Sequence, residues 1–387
     1  MLFPSCEKDS GLVESQLIYF GITEPYTRIG GIPFTVDNTT MTITNDEPIP
    51  ANIDLTNVKP FFITNHKNNG VFVKGAEQIS GVTKQDLSSP VKYEVVSERG
   101  TLVYNVTVTK AEEVKTQAGV KMAGMSDFVA GIGEETEEWI DKGLRFSGVD
   151  FTTTDGRSLK MDLFEVDMSQ SDIALYPLTA GNFDNVLPDS EEWPVQTLTE
   201  MVNETKNAGI EVLGAISGDF FDAAGKAIPE GPVCRNGKWL KESFMSEKEN
   251  RYFGMRNDGR TSIGDFGAMV TLLDKLTFAI GGREYLLTED APSTEIKNRS
   301  DLDSRIGIGT NRLDHMTVYI VSFTGDKGVT LSETAQVLKV FGASEALNLA
   351  GGDNASFVIK EGSTYKAVNR PEEQLKKIVN GVAIVKK

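Results

Sequence analysis

The sequence predicts two folds in one chain: an all-β immunoglobulin-like sandwich, then an α+β domain of mixed α/β character with a central sheet. Three observations predict it. Residues 12–110 are rich in Thr, Val, Ile and Asn, are punctuated by Pro and Gly, and carry no helical period. The stretch "KAEEVKTQAG", Lys110 to Gly119, is charged and rich in small residues, which suits a linker over 111–119. In residues 120–387 helical stripes and alternating strands succeed one another.

The elements follow in chain order. Residues 1–11, "MLFPSCEKDSG", read as a flexible tail. Cys6, set directly before a charged, small-residue stretch, resembles the mature start of bacterial lipoproteins of the Bacteroides type. That resemblance implies a truncated lipoprotein signal, a lipid anchor at Cys6, and a place in the cell envelope, at the outer membrane or in the periplasm. In "VKYEVVSERGTLVYNVTVTK", Val91, Tyr93 and Val95 alternate, the chain turns at Gly100, and Leu102, Tyr104, Val106 and Val108 alternate again. This is a hairpin with one buried face. Several such strands over about 100 residues predict the sandwich. Further on, Phe164, Val166 and Met168 alternate as a strand does. "TLTEMVNETKNAG" places Leu198, Met201, Val202 and Thr205 on one helical stripe, with Gly209 to end it. "TLSETAQVLKVFGA" predicts a second helix, opened by a Thr330–Glu333 capping box, lined by Leu331, Ala335, Leu338 and Phe341, and closed by Gly342.

Composition removes whole classes of function. The 387 residues are 39% apolar and 25% charged, as in ordinary globular proteins. Lys and Arg total 39 against 56 Asp and Glu, a net charge of −17 that repels nucleic acid and anionic lipid surfaces. A membrane partner is expected only through an anchor at Cys6. Two histidines, His66 and His315, are too few for a His-rich zinc site, and a His-based triad is not expected. Cys6 and Cys234 make no disulfide framework, and Cys234 reads as a buried small hydrophobe. No metal and no cofactor are expected, and the chain is expected to be a monomer.

Both helices lead into a buried strand that ends at glycine with Asp, Ser or Asn: "IEVLGAISGDFFD" after the first, "SEALNLAGGDNAS" after the second. Loops of this kind at strand ends are where ligands bind in α/β folds, although Gly, Asp and Asn serve tight turns equally well. Ser217-Gly218-Asp219-Phe220-Phe221, Ile228 to Gly231, Asn236-Gly237, the hairpin ending at Asp258-Gly259, Gly281-Gly282, Ser304 to Gly309 and Asn348 to Ala355 follow one another in an order that resembles the phosphodiester glycosidases. This is the family of the lysosomal enzyme that removes N-acetylglucosamine from a phosphodiester to expose mannose 6-phosphate. The resemblance covers about residues 150 to 387. The chain departs from it at Ser217, where the family has Asn, and at Ala350, where the family has Asp.

The resemblance implies cleavage of a sugar-1-phosphodiester linkage in a glycan. That reaction builds oxocarbenium character on the sugar and releases a phosphomonoester, so it wants a fixed cation for phosphate and carboxylates near the sugar. Asp219, Asp353 and Arg305 are the implied catalytic residues. Ser217, Gly218, Gly351, Gly352, Asn354 and Glu333 are the implied substrate-binding residues. Each has a structural alternative. Asp219 can cap its own turn, Glu333 is foremost the capping-box acid, Arg305 can be a surface arginine, and Phe220 and Phe221 serve a core as well as a sugar platform. The rival function, given Ala350, is a non-catalytic glycan-binding envelope protein.

Overall fold

The computed structural model describes residues 15–22, 28–67, 69–98, 100–187, 191–222, 226–245, 251–296 and 299–387. Cys6 and the expected tail lie outside them. The chain divides into two compact units, Met1–Lys115 and Thr116–Lys387. The boundary falls within the stretch expected to link them. Its last residues are not linker, however: the Thr116 side chain accepts from the Gly119 N–H and caps a helix, Gln117–Ala123.

The first unit is all-β among its described residues, apart from one 3₁₀ turn at Leu55–Asn57. The predicted hairpin is present as Val91–Ser97 and Gly100–Thr107, with Tyr93 directly opposite Tyr104 and both rings fully buried. Phe20 packs edge-on to Tyr93 at 5.2 Å between centroids, which joins the hairpin to the first strand, Leu17–Ile22. The eight strands hydrogen-bond as one sheet, because Thr42–Asn45 pairs in parallel with Gly100–Thr107. The hydrogen bonding therefore does not delineate the two separate sheets of the expected sandwich.

The second unit stacks helix, sheet, sheet and helix. Its larger sheet runs in the order Ala291–Pro292, Tyr285–Thr288, Glu345–Leu349, Arg305–Thr310, Thr317–Gly325, Ser158–Asp167, Leu144–Thr153, Val129–Asp141. A five-stranded sheet faces it in the order Ile173–Thr179, Asn380–Lys386, Val212–Ser217, Phe357–Glu361, Thr364–Ala367. Phe146, Phe164, Ile306, Ile308, Ile320 and Leu347 from the first interleave with Phe357, Ile359, Val382 and Ile384 from the second. The Phe164 and Phe357 rings lie 4.3 Å apart. A third sheet, Lys238–Lys241, Val233–Arg235, Leu276–Gly282, Arg251–Arg256 and Thr261–Gly264, adds Phe253, Phe278 and Ile280 to this core.

Helix Leu331–Phe341 covers the outer face of the larger sheet through Leu331, Ala335, Leu338 and Phe341, and its capping box is complete. Helix Leu198–Asn207 covers the outer face of the smaller sheet through Leu198, Met201 and Val202, with the left-handed Gly209 beyond its end. Both stripes are those read from the sequence. The strand through Phe164 differs from its alternating pattern: Leu163, Glu165 and Asp167 are also buried, because this strand is covered on both faces. The strand pairs described in this unit are antiparallel, so helix-then-strand grammar here does not mean a parallel sheet.

Candidate active site

The two glycine-and-acid loops leave different sheets and meet. Val212–Ser217 ends in the first loop, and Glu345–Leu349 ends in the second. The Ala350 N–H donates to the Gly218 carbonyl at 3.0 Å. Ser217 ties the second contact: its hydroxyl donates to the Asn354 carbonyl at 2.6 Å and accepts from the Ser356 N–H at 2.7 Å. Asn380, on the strand beside Val212–Ser217, completes the junction. Its side-chain oxygen accepts from the Asp219 N–H at 2.8 Å, and its carbonyl accepts from the Gly218 N–H at 3.1 Å.

Asp219 lies beneath this junction, 1% exposed. One carboxylate oxygen accepts from the Phe220 N–H at 2.8 Å and the other from the Gly231 N–H at 2.6 Å. Burial raises its pKa to about 7, against the pull of the Gly231 N–H and with a further push from the Glu230 charge. Gly281 faces it so closely that a β-carbon there would stand 2.3 Å from the carboxylate, so any side chain would displace the acid. The carboxyl group thus holds its proton far more tightly than a free aspartate does, and backbone holds it on two sides.

Arg305 opens its strand and is buried, but its guanidinium is engaged. It donates to the Asp301 carboxylate, to the Asp301 carbonyl at 3.0 Å and to the Val329 carbonyl at 3.4 Å. The Arg305 hydrogen bond in turn draws the Asp301 pKa down. Arg305 is not the surface arginine of the alternative reading. The second loop lies against the same segment: the Gly352 N–H donates to the Ser304 carbonyl at 2.7 Å, and Gly352 has the positive φ of 61° that suits glycine. Asp353 is exposed on that loop. Arg370 holds the loop from the other side, donating to the Gly352 carbonyl at 3.0 Å and the Asp353 carbonyl at 2.9 Å.

Glu333 sits at the start of its helix, away from this junction. Its carboxylate accepts from the Thr330 N–H at 2.7 Å and pairs with Arg157 at 2.6 Å. The capping role read from the sequence accounts for the first, and the ion pair to Arg157 is a further, long-range contact. Cys234 is fully buried, with its thiol pushed up to about 12 by burial, and His315 lies in a turn at φ 54°. Among the described residues, no group of three or more His, Cys, Asp and Glu side chains could hold a metal.

Sequence reasoning missed three residues. Arg283 lies over the Phe220 ring, 4.1 Å from its centroid, and pairs with Glu230 through two bonds of 2.9 and 2.7 Å. Its backbone N–H also donates to the Asn348 carbonyl at 3.0 Å, so it bridges the first loop and the strand that leads into the second. The signal was its place directly after Gly281-Gly282. Asn380, in "VNGV", and Arg370, in "NRP", carried only the weak signal of polar residues beside strand-like runs.

Three comparisons with known proteins follow from this geometry. Residues 211–385 match the family model described as phosphodiester glycosidase. No curated protein matches the chain. Among solved structures, it is similar to the zebrafish N-acetylglucosamine-1-phosphodiester alpha-N-acetylglucosaminidase catalytic domain, auto-inhibited by its pro-peptide. That match has 17% identity and a TM-score of 0.47, over 66% of this chain and 88% of the other. It is also similar to a hypothetical protein from Synechocystis, with 11% identity and a TM-score of 0.49, over 95% and 96% of the two chains. The segments from Ser217 to Ala355 that carried the resemblance all lie inside the matched stretch, and over residues 211–385 this chain carries a phosphodiester glycosidase domain.

Proposed function

We propose that the chain is a hydrolase that cleaves a sugar-1-phosphodiester linkage in a glycan. One observation carries the reading: within the family-matched segment, the Ser217–Phe221 and Ala350–Asn354 loops from two sheets are hydrogen-bonded into a single junction. In this reading Asp353, exposed on the second loop, supplies the carboxylate beside the cationic sugar or orients water. Asp219, poised near neutrality, supplies or takes the proton that the phosphate leaving group scarcely needs. Arg305 positions the Gly351-Gly352 turn through the Ser304 backbone. Ser217, Gly218, Gly351, Gly352 and Asn354 shape the binding surface, and Phe220 under Arg283 offers a platform for the sugar face. We place the protein in the cell envelope, anchored through Cys6, as a monomer.

The second reading is a glycan-binding protein with a degenerate site. One residue favours it: Ala350, 3% exposed, stands where the family carries an acid. A chromogenic sugar phosphodiester separates the two. If Asp353 has taken over the missing acid's role, wild type turns over and Asp353→Asn abolishes turnover. If the site is degenerate but recoverable, wild type is inactive and Ala350→Asp gains activity. Inactivity of both, with glycan binding intact, defeats the hydrolase reading.

A further inference from the structure

A cavity of about 800 Å³ opens beside the second loop, and its wall includes Asp150, Lys160, Ser304, Asn369, Arg370 and Gln374. Two of these residues, Ser304 and Arg370, are also the partners that hold Gly352. The cavity therefore borders the proposed reaction site. Asp150 and Lys160 come from strands outside the family-matched segment, so the cavity is assembled partly from residues beyond that stretch.

Arg370 differs from its counterparts. The other buried or half-buried arginines described in the second unit each have a carboxylate oxygen within 4.0 Å: Arg145, Arg157, Arg235, Arg251, Arg256, Arg283 and Arg305. Arg370 has none that close among the described residues, and Asp353 and Asp303 act on it only through longer-range attraction. Its hydrogen bonds go to two carbonyls. A guanidinium has five N–H donors, and a half-buried cation with no carboxylate in contact keeps donors for an arriving anion. Lys160 brings a second positive charge to the same wall, donating to the Val368 carbonyl at 2.7 Å and lying 3.2 Å from Asp162. Asn369, facing the cavity too, is fixed by bonds to the Phe357 N–H and the Ala355 carbonyl, so the wall is rigid where it meets the loop.

We infer that Arg370, with Lys160 behind it, binds the phosphate oxygens of the substrate in this cavity, and that Arg305 serves only the loop's architecture. The inference rests on the hydrolase reading for its substrate, but its site is defined by anion binding alone. The probe is inorganic phosphate with the full chain, followed by ³¹P line broadening, and by hydrogen exchange of the segment 350–357. Wild type is expected to bind, and phosphate is expected to slow exchange in that segment, because Arg370 grips both the anion and the loop carbonyls. Arg370→Gln should weaken binding at least about tenfold, the size of a lost charge-assisted contact. Arg370→Lys should weaken it less, since the charge remains and the fork is lost. Arg256→Gln, whose arginine pairs with Asp258 and does not line the cavity, should leave phosphate binding unchanged. Should Arg370→Gln fail to fold, the lysine variant and the Arg256 control still decide. Absence of wild-type binding, equal binding by the Arg370 variants, or equal loss in Arg256→Gln overturns the assignment. Phosphate binding at Arg370 without turnover would sink the hydrolase reading instead, whereas full turnover in Arg370→Gln would sink this one.

Discussion

The acid beneath the loop junction ties function to stability. Asp219 has a folded pKa of about 7, above its ordinary value of 3.8, so the folded chain holds a proton that the unfolded chain has released. Its contribution is therefore fully present below about pH 4, declines as pH rises, and is gone above about pH 7. Asp219→Asn removes that slope, at the cost of one acceptor for the two backbone N–H groups, on the order of 1 kcal/mol. Urea unfolding at a series of pH values should show the variant gaining on wild type between about pH 4 and pH 7. A difference that stays constant across that range would contradict the buried, protonated acid. At this scale the sequence was read unevenly. Cys234 and Glu333 took the bland roles that residue type and spacing favoured, because a lone thiol and a capping box are decided locally. Arg283, Arg370 and Asn380 were missed because their partners lie 17 or more residues away, on other loops, and no local pattern announces such pairs.

At the scale of elements, the two helices were legible to their caps. The reason is physical: an apolar stripe of period 3.6, a Thr with Glu three residues on, and a closing glycine each act within one or two turns. Sheet order was not legible, since strands neighbouring in space are far apart in sequence, as Ser158–Asp167 is from Thr317–Gly325. The capping box also tests the role of Glu333. Thr330→Ala should cost about 1 kcal/mol, lowering Tm by about 2–4 °C, with catalysis and glycan binding untouched. Glu333→Gln, which also loosens the ion pair to Arg157, should likewise shift only Tm. A fall in turnover without a fall in Tm would return Glu333 to the substrate site.

For the whole molecule, the texture change read near residues 110–119 coincides with the boundary between units at Lys115 and Thr116, because a change of core means a change of residue pattern. Limited proteolysis should cut between residues 111 and 115 and leave two resistant fragments. Scattered cleavage inside either fragment at equal protease would contradict their independence. Within the second unit, the strand that comes last in sequence, Asn380–Lys386, lies inside its sheet between Ile173–Thr179 and Val212–Ser217, and it carries the Asn380 that fixes Asp219. During synthesis this sheet is therefore completed only once residues 380–386 have emerged. Until the ribosome has released residues 380–386, two long apolar strand edges stand open and the acid has no partner for its backbone N–H. A chain interrupted even slightly short of that point exposes pairing edges to its neighbours instead of a finished site.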